Sequence, residues 1–361
     1  MQISKENSEH IRAISFLCAL MVVAIHCTSV TKEWWSGQQA VPQWIALLQI
    51  IGSDTVVRFA VPWFFIVSGF FLVKNLDVTA CVENGAKVFA VFKWWKGIVG
   101  KRLLTLGIPY LLWNVIYYLF KFATGKYGFE WRHCLDQLVG YDLYGVPACG
   151  QFWYVRALIV YIVFSPLFVM MLWHRVVGAV FLLSLLTCWF LGIGLPIRYM
   201  QITDFSYMAY FGTGVYLSLS GTDLRKRFSR PAFAVCAAIF VASLFGVVYG
   251  GGIRDAYLSS MSTKAMIVAG IPVLWGLGSV IAAATSGLRR FYGLAFFVYA
   301  IHVMLCSITY KVTVQLMPPE LYHSVGYLLK IAVGVVGSVT IGALLGRFAP
   351  RALQILCGGR G

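Results

Sequence analysis

The residues best suited to chemistry in this sequence are a few ionisable side chains in long apolar segments. Arg12 and His26 flank the first such segment, and Arg58 stands early in the second. His302 lies midway along a late segment. A charged or titratable group is costly inside a bilayer, so each is a candidate functional residue. Imidazole exchanges protons near pH 7, and guanidinium pairs with phosphates and oxyanions, which suits a group-transfer reaction.

The spacing of the first two residues relates them to each other. Arg12 and His26 are 14 residues apart, which on an α-helix places them within about 40° of the same face and roughly 21 Å apart. That separation approaches the thickness of the hydrocarbon layer. We therefore expect one helix to present a cation near the cytoplasm and an imidazole near the outer leaflet.

Each of these residues also has a structural interpretation. Arg12 could anchor its helix at the interface, and Arg58 could form a helical ion pair with Asp54. His302 could be a core histidine with satisfied hydrogen bonds. Lys330, near the outer end of the last apolar segment, could reach water through its flexible stem.

The elements that must position these side chains are membrane-spanning helices. The chain has 361 residues, 60% hydrophobic and 12% charged, whereas a soluble domain has roughly 45–50% apolar and about 25% charged residues. The sequence therefore predicts an all-α, polytopic integral membrane protein of about ten transmembrane helices, in one domain over residues 1–361 without a separate soluble domain. The ten segments are 11–30, 55–73, 103–122, 152–172, 176–194, 205–220, 232–250, 265–285, 291–310 and 325–346.

The positive charge indicates an orientation rather than a nucleic-acid partner. With a cytoplasmic N-terminus, 18 of the 29 Lys and Arg residues fall in predicted inside segments, 8 outside and 3 within or close to spans. Cytoplasmic loops collect Lys and Arg, so both termini are predicted to be cytoplasmic. No basic patch alternates with exposed aromatics on a soluble face, which argues against nucleic acid.

The connecting segments leave three questions open. The stretch 41–54 is predicted as a short helix lying at the interface. The basic and aromatic part of inner loop 74–102 fits either a helix lying on anionic lipid or cations that meet a phosphate-bearing cofactor. Cys134 and Cys149 share the outer loop and are either a disulfide or two free thiols. No CxxC pair occurs, so no metal site is predicted.

Five segments carry a family resemblance, and they cover nearly the whole chain. They are RAISFLCALMVVAIH (12–26), RFAVPWFFIVSGFFL (58–72), KRLLTLGIPYLLWN (101–114), QFWYVRALIVYIVFSPLF (151–168) and FYGLAFFVYAIHVML (291–305). In this order they resemble the membrane acyltransferases of type three, and most of all the O-acetyltransferases that modify bacterial surface polysaccharides. The resemblance implies transfer of an acyl group, often acetyl, from cytosolic acyl-CoA to a hydroxyl of a cell-surface glycan or lipid-linked sugar.

The resemblance also implies a set of catalytic residues. It matches the family's essential residues to Arg12, His26, Arg58, Trp153 and His302. Acyl transfer to a hydroxyl needs a base and a donor for the oxyanion. We expect His26 to be the base, His302 to be the second choice or to orient the acceptor, and Arg58 to hold the oxyanion or the thioester. Ser68 is a possible nucleophile, although Ser-Gly is more typical of close helix packing.

The donor is expected to be acetyl-CoA or another acyl-CoA, used as a co-substrate. Arg12 and Arg102 are predicted to bind its phosphates, and Trp153 to pack on the pantetheine arm or on a sugar face. Two positions depart from the family pattern. The family's Arg-to-His spacing is about three residues shorter, which would fall at Ser15, and its Arg-x-x-Arg ends here in Thr105.

A different class of function is also compatible with these residues. Buried Arg and His occur along the paths of secondary transporters and flippases for small or lipid-linked substrates. The sequence lacks the internal repeats typical of such proteins, which favours the enzyme. The expected partners are the lipid bilayer and a glycan or lipid-linked saccharide, and the expected location is the bacterial inner membrane, as a multi-pass protein.

Overall fold

The computed structural model describes residues 5–30, 41–74, 76, 87–126, 130–139, 147–194, 204–221, 229–252 and 255–359. Within these ranges the chain is built of helices and contains no β-strand. The α-helices are α1 (Lys5–Ile25), α2 (Gln43–Gln49), α3 (Ala60–Val73), α4 (Lys87–Ala123), α5 (Trp131–Val139), α6 (Trp153–Val163), α7 (Ser165–Leu172), α8 (Arg175–Phe190), α9 (Phe205–Leu219), α10 (Arg230–Gly252), α11 (Ala256–Gly276), α12 (Gly278–Ala284), α13 (Ala295–Leu316), α14 (Pro319–Leu321), α15 (Tyr327–Ala332), α16 (Ser338–Phe348) and α17 (Pro350–Leu356).

Shorter helical forms join several of these elements. Two segments are 3₁₀-helices, Gly150–Phe152 and Ser286–Leu294. Three segments are π-helices, Ile50–Thr55, Tyr322–Gly326 and Val333–Gly337. The π-helix, with hydrogen bonds from residue i to i+5, is a rare form that occurs frequently at functional sites. Three of them in one chain therefore direct attention to the part of the fold that contains them.

The described residues divide into two compact units. Unit I comprises residues 3–63 and 224–350, and unit II comprises residues 64–223 and 351–360, each as far as it is described. The chain passes from one unit to the other within α3. All three π-helical segments belong to unit I.

Unit I is organised around α1. Ala13 and Phe16 of α1 are buried against Ala282 of α12 and Tyr292 of the following 3₁₀-helix. The rings of Phe16 and Tyr292 lie 5.6 Å apart. Because the apolar residues of α1 recur every three to four positions, one face of the helix is buried along its length. This packing holds the C-terminal end of α1 in place.

Unit II contains a close crossing of α3 and α9. A side chain at Gly69 would meet the backbone carbonyl of Phe211, and a side chain at Gly214 would meet the carbonyl of Ile66. Only glycine allows two helix backbones to approach this closely. The Ser68-Gly69 pair is therefore a packing point, one of the two alternatives in the sequence. Cys134 and Cys149, also in unit II, are free thiols.

The long apolar helices confirm an all-α multi-pass membrane protein. Seven helical stretches of the described chain are long and apolar enough to cross a bilayer, or eight if the bent pair Gly150–Val163 and Ser165–Leu172 is one span. On α4, an exposed apolar stripe of the kind that faces lipid is formed by Leu104, Ile108, Leu111, Val115 and Leu119. The number of ten spans and the cytoplasmic position of both termini stay predictions.

Two predicted boundaries are wrong, and one predicted span is bent. The third span begins at Lys87 rather than near residue 103, because the helix runs through Gly97 and Gly100 without a break. The stretch 41–54 is continuous with the second span as Gln43–Val73 rather than separate. The fourth span is bent by 66° between Val163 and Ser165, because Pro166 has no backbone N–H to donate to Ile162, four residues earlier.

Candidate active site

Two histidines from distant parts of the sequence meet in unit I. His26 directly follows α1, and His302 lies within α13. The Nε2 atom of His302 lies 3.2 Å from Nδ1 of His26, and the rings meet edge to face with centroids 5.0 Å apart. The two candidates of the sequence therefore form one hydrogen-bonded pair, which we call the histidine pair.

Backbone carbonyls decide which ring nitrogens carry protons. Nδ1 of His302 lies 3.0 Å from the Val298 oxygen, and Nδ1 of His26 lies 2.9 Å from the Val22 oxygen. A carbonyl oxygen only accepts hydrogen bonds, so both Nδ1 atoms must donate. Nε2 of neutral His302 is then the acceptor for the Nδ1–H of His26. The same assignment leaves Nε2 of His26 unprotonated, with a lone pair that can take a proton.

The two rings differ in exposure. The His302 side chain is fully buried, whereas His26 is exposed. A substrate can therefore reach His26 but not His302. Because Nδ1 of His26 is engaged by Val22 and His302, Nε2 is the nitrogen that remains for a substrate.

The end of α1 explains why Val22 is available to the ring. In a continuing α-helix the backbone N–H of His26 would donate to Val22, four residues earlier. Instead it donates to Val23 at 3.1 Å, and Cys27 donates to Ala24 in the same way. The last turn has tightened into 3₁₀ geometry, which frees the Val22 carbonyl for the imidazole.

A buried glutamine binds the backbone of the loop that follows His26. The Gln49 side chain is fully buried, and its Oε1 accepts from the backbone N–H groups of Ser29 at 2.7 Å and Val30 at 2.9 Å. Its Nε2 donates to the His323 carbonyl at 2.6 Å. One side chain thus satisfies two backbone N–H groups that lie outside the helices and also binds a carbonyl of a π-helical segment. This fixes the loop that carries His26 to α2 and to a π-helical segment.

The other π-helical segments also contact the end of α1. The Ser53 hydroxyl donates to the Ala24 carbonyl at 2.6 Å and lies 2.9 Å from the Tyr327 hydroxyl. Gly334 lies against Val23, close enough that a side chain there would collide with it. Residues 22–30 are therefore held from several sides by irregular helical segments. Irregular helical structure of this kind is frequent at functional sites.

Arg58 lies near the histidine pair and forms an ion pair with Asp54. Its guanidinium pairs with Asp54, one turn earlier, as the helical interpretation of the sequence predicted. The charge of Arg58 also acts on the His26 ring. The ion pair uses one terminal nitrogen of a group that has five N–H donors. Arg58 is exposed, so its other donors remain accessible to a substrate oxygen.

Arg12 lies at the opposite end of α1. It is exposed and forms no ion pair with another described residue. Nearby on the same helix, Glu9 pairs with Arg289. At Ser15, the position given by the family's shorter spacing, the hydroxyl accepts from Trp63 Nε1 at 3.1 Å. Ser15 thus connects α1 to α3, and Arg12 remains the candidate cation of this helix end.

The remaining predicted residues lie in unit II. Trp153 opens α6, with its ring 4.9 Å from Tyr207 and 6.3 Å from Phe65. Ser68 lies 3.0 Å from the Tyr154 hydroxyl, one residue along. Trp153 is thus part of an aromatic cluster built by α3, α6 and α9.

Arg102 lies on the long helix α4 and is exposed. The exposed side chains of Lys93, Lys96 and Lys101 lie on the same helix. At 37 residues, α4 is about 55 Å long, which exceeds the roughly 30 Å of the hydrocarbon layer. The basic segment before residue 103 is therefore part of the same helix as the span. Its exposed cations lie N-terminal to the apolar stripe that begins at Leu104.

Comparison with known proteins decides the family. A profile described as an acyltransferase domain, of the acyltransferase type 3 family, matches residues 11–347, which is nearly the whole chain. The chain belongs to the acyltransferase 3 family. It is also similar to the serine/alanine racemase of Enterococcus gallinarum, with 27% identity over 264 residues, 68% of this chain and 32% of that protein. The chain thus spans about a third of that relative's length. No solved structure matches.

The family confirms the resemblance read from the five segments. The apolar helices make this family member a multi-pass membrane protein. The residues assigned to its site by the family pattern stay predictions. What the fold adds is a contact between two of them, His26 and His302, and the nearness of Arg58.

Sequence reasoning missed one residue beside the histidine pair and left the surroundings of another open. Gln49 was not singled out, although a glutamine in the run QWIALLQIIG is a detectable signal. For Lys330 the sequence left open that its flexible stem reaches water, and the structure excludes this alternative. Its side chain is 3% exposed, with the ammonium 5.1 Å from the Tyr322 ring centre and 5.9 Å from that of Tyr310.

Proposed function

We propose that this chain is a membrane O-acyltransferase of the bacterial inner membrane. It moves an acyl group, most simply acetyl, from cytosolic acyl-CoA to a hydroxyl of a cell-surface glycan or lipid-linked sugar. The observation that carries the proposal is the histidine pair, because it leaves an accessible, unprotonated Nε2 on His26. That is the group an alcohol acceptor needs.

The first step is attack on the thioester. Nε2 of His26 takes the proton of the acceptor hydroxyl as its oxygen bonds to the thioester carbon. The positive charge that forms on the imidazole is stabilised by the hydrogen bond from Nδ1 to His302. A hydrogen bond to a charged group is stronger than one between neutral groups, so this contact strengthens as the reaction proceeds.

The second step is collapse of the tetrahedral intermediate. The carbonyl oxygen carries the negative charge, and the free donors of Arg58 offer it a cation. The carbon–sulfur bond then breaks, and the CoA thiolate takes up the proton held by His26. Asp54 holds Arg58 in place by an ion pair without using all of its donors. Arg12, Arg102 and Trp153 are the proposed contacts of acyl-CoA.

The experiment uses the purified protein in vesicles with labelled acetyl-CoA and a glycan-bearing membrane extract. We expect label to enter the glycan fraction, and His26→Ala to lower the rate by about 10²- to 10⁴-fold, the usual contribution of a positioned base. His174→Ala, at an exposed histidine of unit II, serves as the matched control and keeps the rate.

Two results would overturn the proposal. Full transfer by His26→Ala would remove the assigned base. Movement of unmodified glycan across the vesicle membrane with no acyl label on it would favour the transporter or flippase.

A separate variant tests the oxyanion role. Arg58→Lys keeps a charge but loses the planar set of donors, and Arg58→Gln loses the charge. If Arg58 stabilises the oxyanion, both lower kcat, the glutamine more severely, with little change in the KM for acetyl-CoA. A rise in KM at constant kcat would show instead that Arg58 binds the ground state.

A further inference from the structure

Lys330 is a buried cation of unit I that the proposed chemistry does not use. It lies on α15 and is 3% exposed. None of the ion pairs formed by the described carboxylates includes it, since Asp54 pairs with Arg58 and Glu9 with Arg289. The question is what compensates the charge of this ammonium.

The groups around Lys330 come from three elements. Tyr310 of α13 and Tyr322 of a π-helical segment present their rings to the ammonium, and the two rings lie 5.9 Å apart. Cys27, directly after His26, and Cys306, one turn after His302, lie with their Sγ atoms 3.4 Å apart. Both thiols lie within electrostatic range of Lys330.

Among the described residues, the same surroundings contain one further titratable group but no carboxylate. The imidazole of His323 is also within electrostatic range of Lys330, and its ring lies 4.9 Å from that of Tyr322. Cys306 donates its thiol hydrogen to the backbone carbonyl of Lys330 at 3.8 Å, which requires a neutral sulfur. The described neighbours of Lys330 therefore offer π-faces and dipoles.

These neighbours do not balance a buried ammonium. Removing a positive charge from water is costly unless it is paired and hydrogen-bonded. Cation–π contacts at 5–6 Å recover part of that cost, but an aromatic ring is no substitute for the oxygen acceptors that three N–H donors need. In a membrane protein such a residue faces a partner or a substrate path.

We propose that Lys330 binds an oxyanion, a phosphate or a carboxylate, carried by the acyl acceptor. The identification of this anion with the acceptor rests on the proposed function. Lys330 lies at the end of α1 that carries His26, and the thiols of Cys27 and Cys306 link it to the histidine pair. An acceptor anchored there by its anion brings a hydroxyl toward Nε2 of His26.

The binding test uses the full chain in nanodiscs of zwitterionic phosphatidylcholine, so that no anionic lipid competes. Three probes are titrated separately: inorganic pyrophosphate, glucuronate and a polyisoprenyl phosphate. Binding is measured as the rise in the thermal midpoint with probe concentration, from which a dissociation constant follows. The probes separate a free phosphate, a sugar carboxylate and a lipid-linked phosphate as sources of the same chemistry.

The variants isolate the charge of this one side chain. Lys330→Met removes the ammonium but keeps an apolar stem, and Lys330→Arg keeps a cation. Lys311→Met makes the same charge change at an exposed lysine of α13. We expect at least one probe to bind wild type and Lys330→Arg, to bind Lys311→Met equally well, and to bind Lys330→Met about tenfold or more weakly.

The outcomes are distinct. Equal binding of every probe by wild type and Lys330→Met, or binding of none by wild type, overturns the proposal. Misfolding does not obscure the result, because removing an unpaired buried charge leaves the midpoint without probe unchanged or higher.

The transfer assay separates the two proposals. Transfer by wild type with an unchanged acceptor KM in Lys330→Met refutes the anion site and leaves the acyltransferase function standing. Probe binding that depends on Lys330, without transfer to any acceptor, supports the anion site and refutes the acyltransferase function.

Discussion

Replacing His302 by leucine tests whether His26 is the base of the histidine pair and His302 only its hydrogen-bond partner. Leucine is close to histidine in volume, so the fully buried position stays filled and the cavity term is small. The substitution removes the acceptor that lies 3.2 Å from Nδ1 of His26. The Val22 carbonyl still accepts from the same Nδ1–H at 2.9 Å, so His26 keeps its tautomer. The variant therefore retains the base and loses only its buried partner.

The magnitude follows from what the lost contact does during the reaction. Between neutral rings a hydrogen bond contributes about 1 kcal/mol, and to a charged ring about 1.5–3 kcal/mol. Only the difference, about 0.5–2 kcal/mol, lowers the barrier, because the ground state has the weaker bond already. That difference corresponds to about a 2- to 30-fold loss of kcat. It is smaller than the loss expected for His26→Ala.

The assay is the initial rate of label transfer at saturating acetyl-CoA, with His302→Gln as the matched control. The glutamine amide oxygen can accept from His26, so this variant should keep more activity than His302→Leu. In the double variant His26→Ala/His302→Leu, the second change should add nothing, since His302 acts through His26. Losses that multiply, or a His302→Leu rate as low as that of His26→Ala, would refute the assignment and give His302 a direct role.

Three further measurements check the geometry on which this reasoning rests. In protein labelled with ¹⁵N-histidine at neutral pH, His26 should show a protonated Nδ1 and an unprotonated Nε2; the opposite tautomer would contradict the carbonyl argument. Gln49→Leu leaves the backbone N–H groups of Ser29 and Val30, in the loop after α1, without their acceptor. It should therefore cost about 2–6 kcal/mol of stability and lower the thermal midpoint. Gln43→Leu, at an exposed position, should not change the midpoint. Gly214→Ala should destabilise by about 1–3 kcal/mol through its collision with α3, while Gly107→Ala, with open space around it, should leave the midpoint unchanged or slightly higher; equal midpoints for these two glycine variants would refute the close crossing.

The sequence predicts the helices well and their ends less well. Hydrophobic runs reveal each span because the bilayer demands about 20 apolar residues. They do not reveal where a helix continues into polar surroundings, as α4 does from Lys87. The bend before Ser165 was readable in principle from Pro166, which has no backbone N–H to continue the hydrogen bonds of the preceding helix. The π-helical segments leave no such sign, since they arise from packing around α1 rather than from local composition.

The candidate residues were predictable one by one, but their contacts were not. His26 and His302 are 276 residues apart, and no periodicity connects them. Hydropathy identifies both as costly groups, which is a statement about each residue and the membrane. Their pairing depends on how α13 packs beside α1, and the tautomer depends on a helix end that tightens by one residue. Both are tertiary consequences.

Arg58 and Lys330 show why scarcity of charge marks candidates without assigning roles. Both are cations in apolar segments, and from the sequence Lys330 could reach water while Arg58 could pair with Asp54. The fold supports only the second of these alternatives: Arg58 is exposed and paired with Asp54, while Lys330 is buried among aromatic rings and thiols. An exposed guanidinium paired through one nitrogen keeps further N–H donors for a transient oxyanion. A buried ammonium between aromatic rings instead needs a bound anion throughout the reaction. We therefore assign Lys330 to substrate binding rather than to the chemical step.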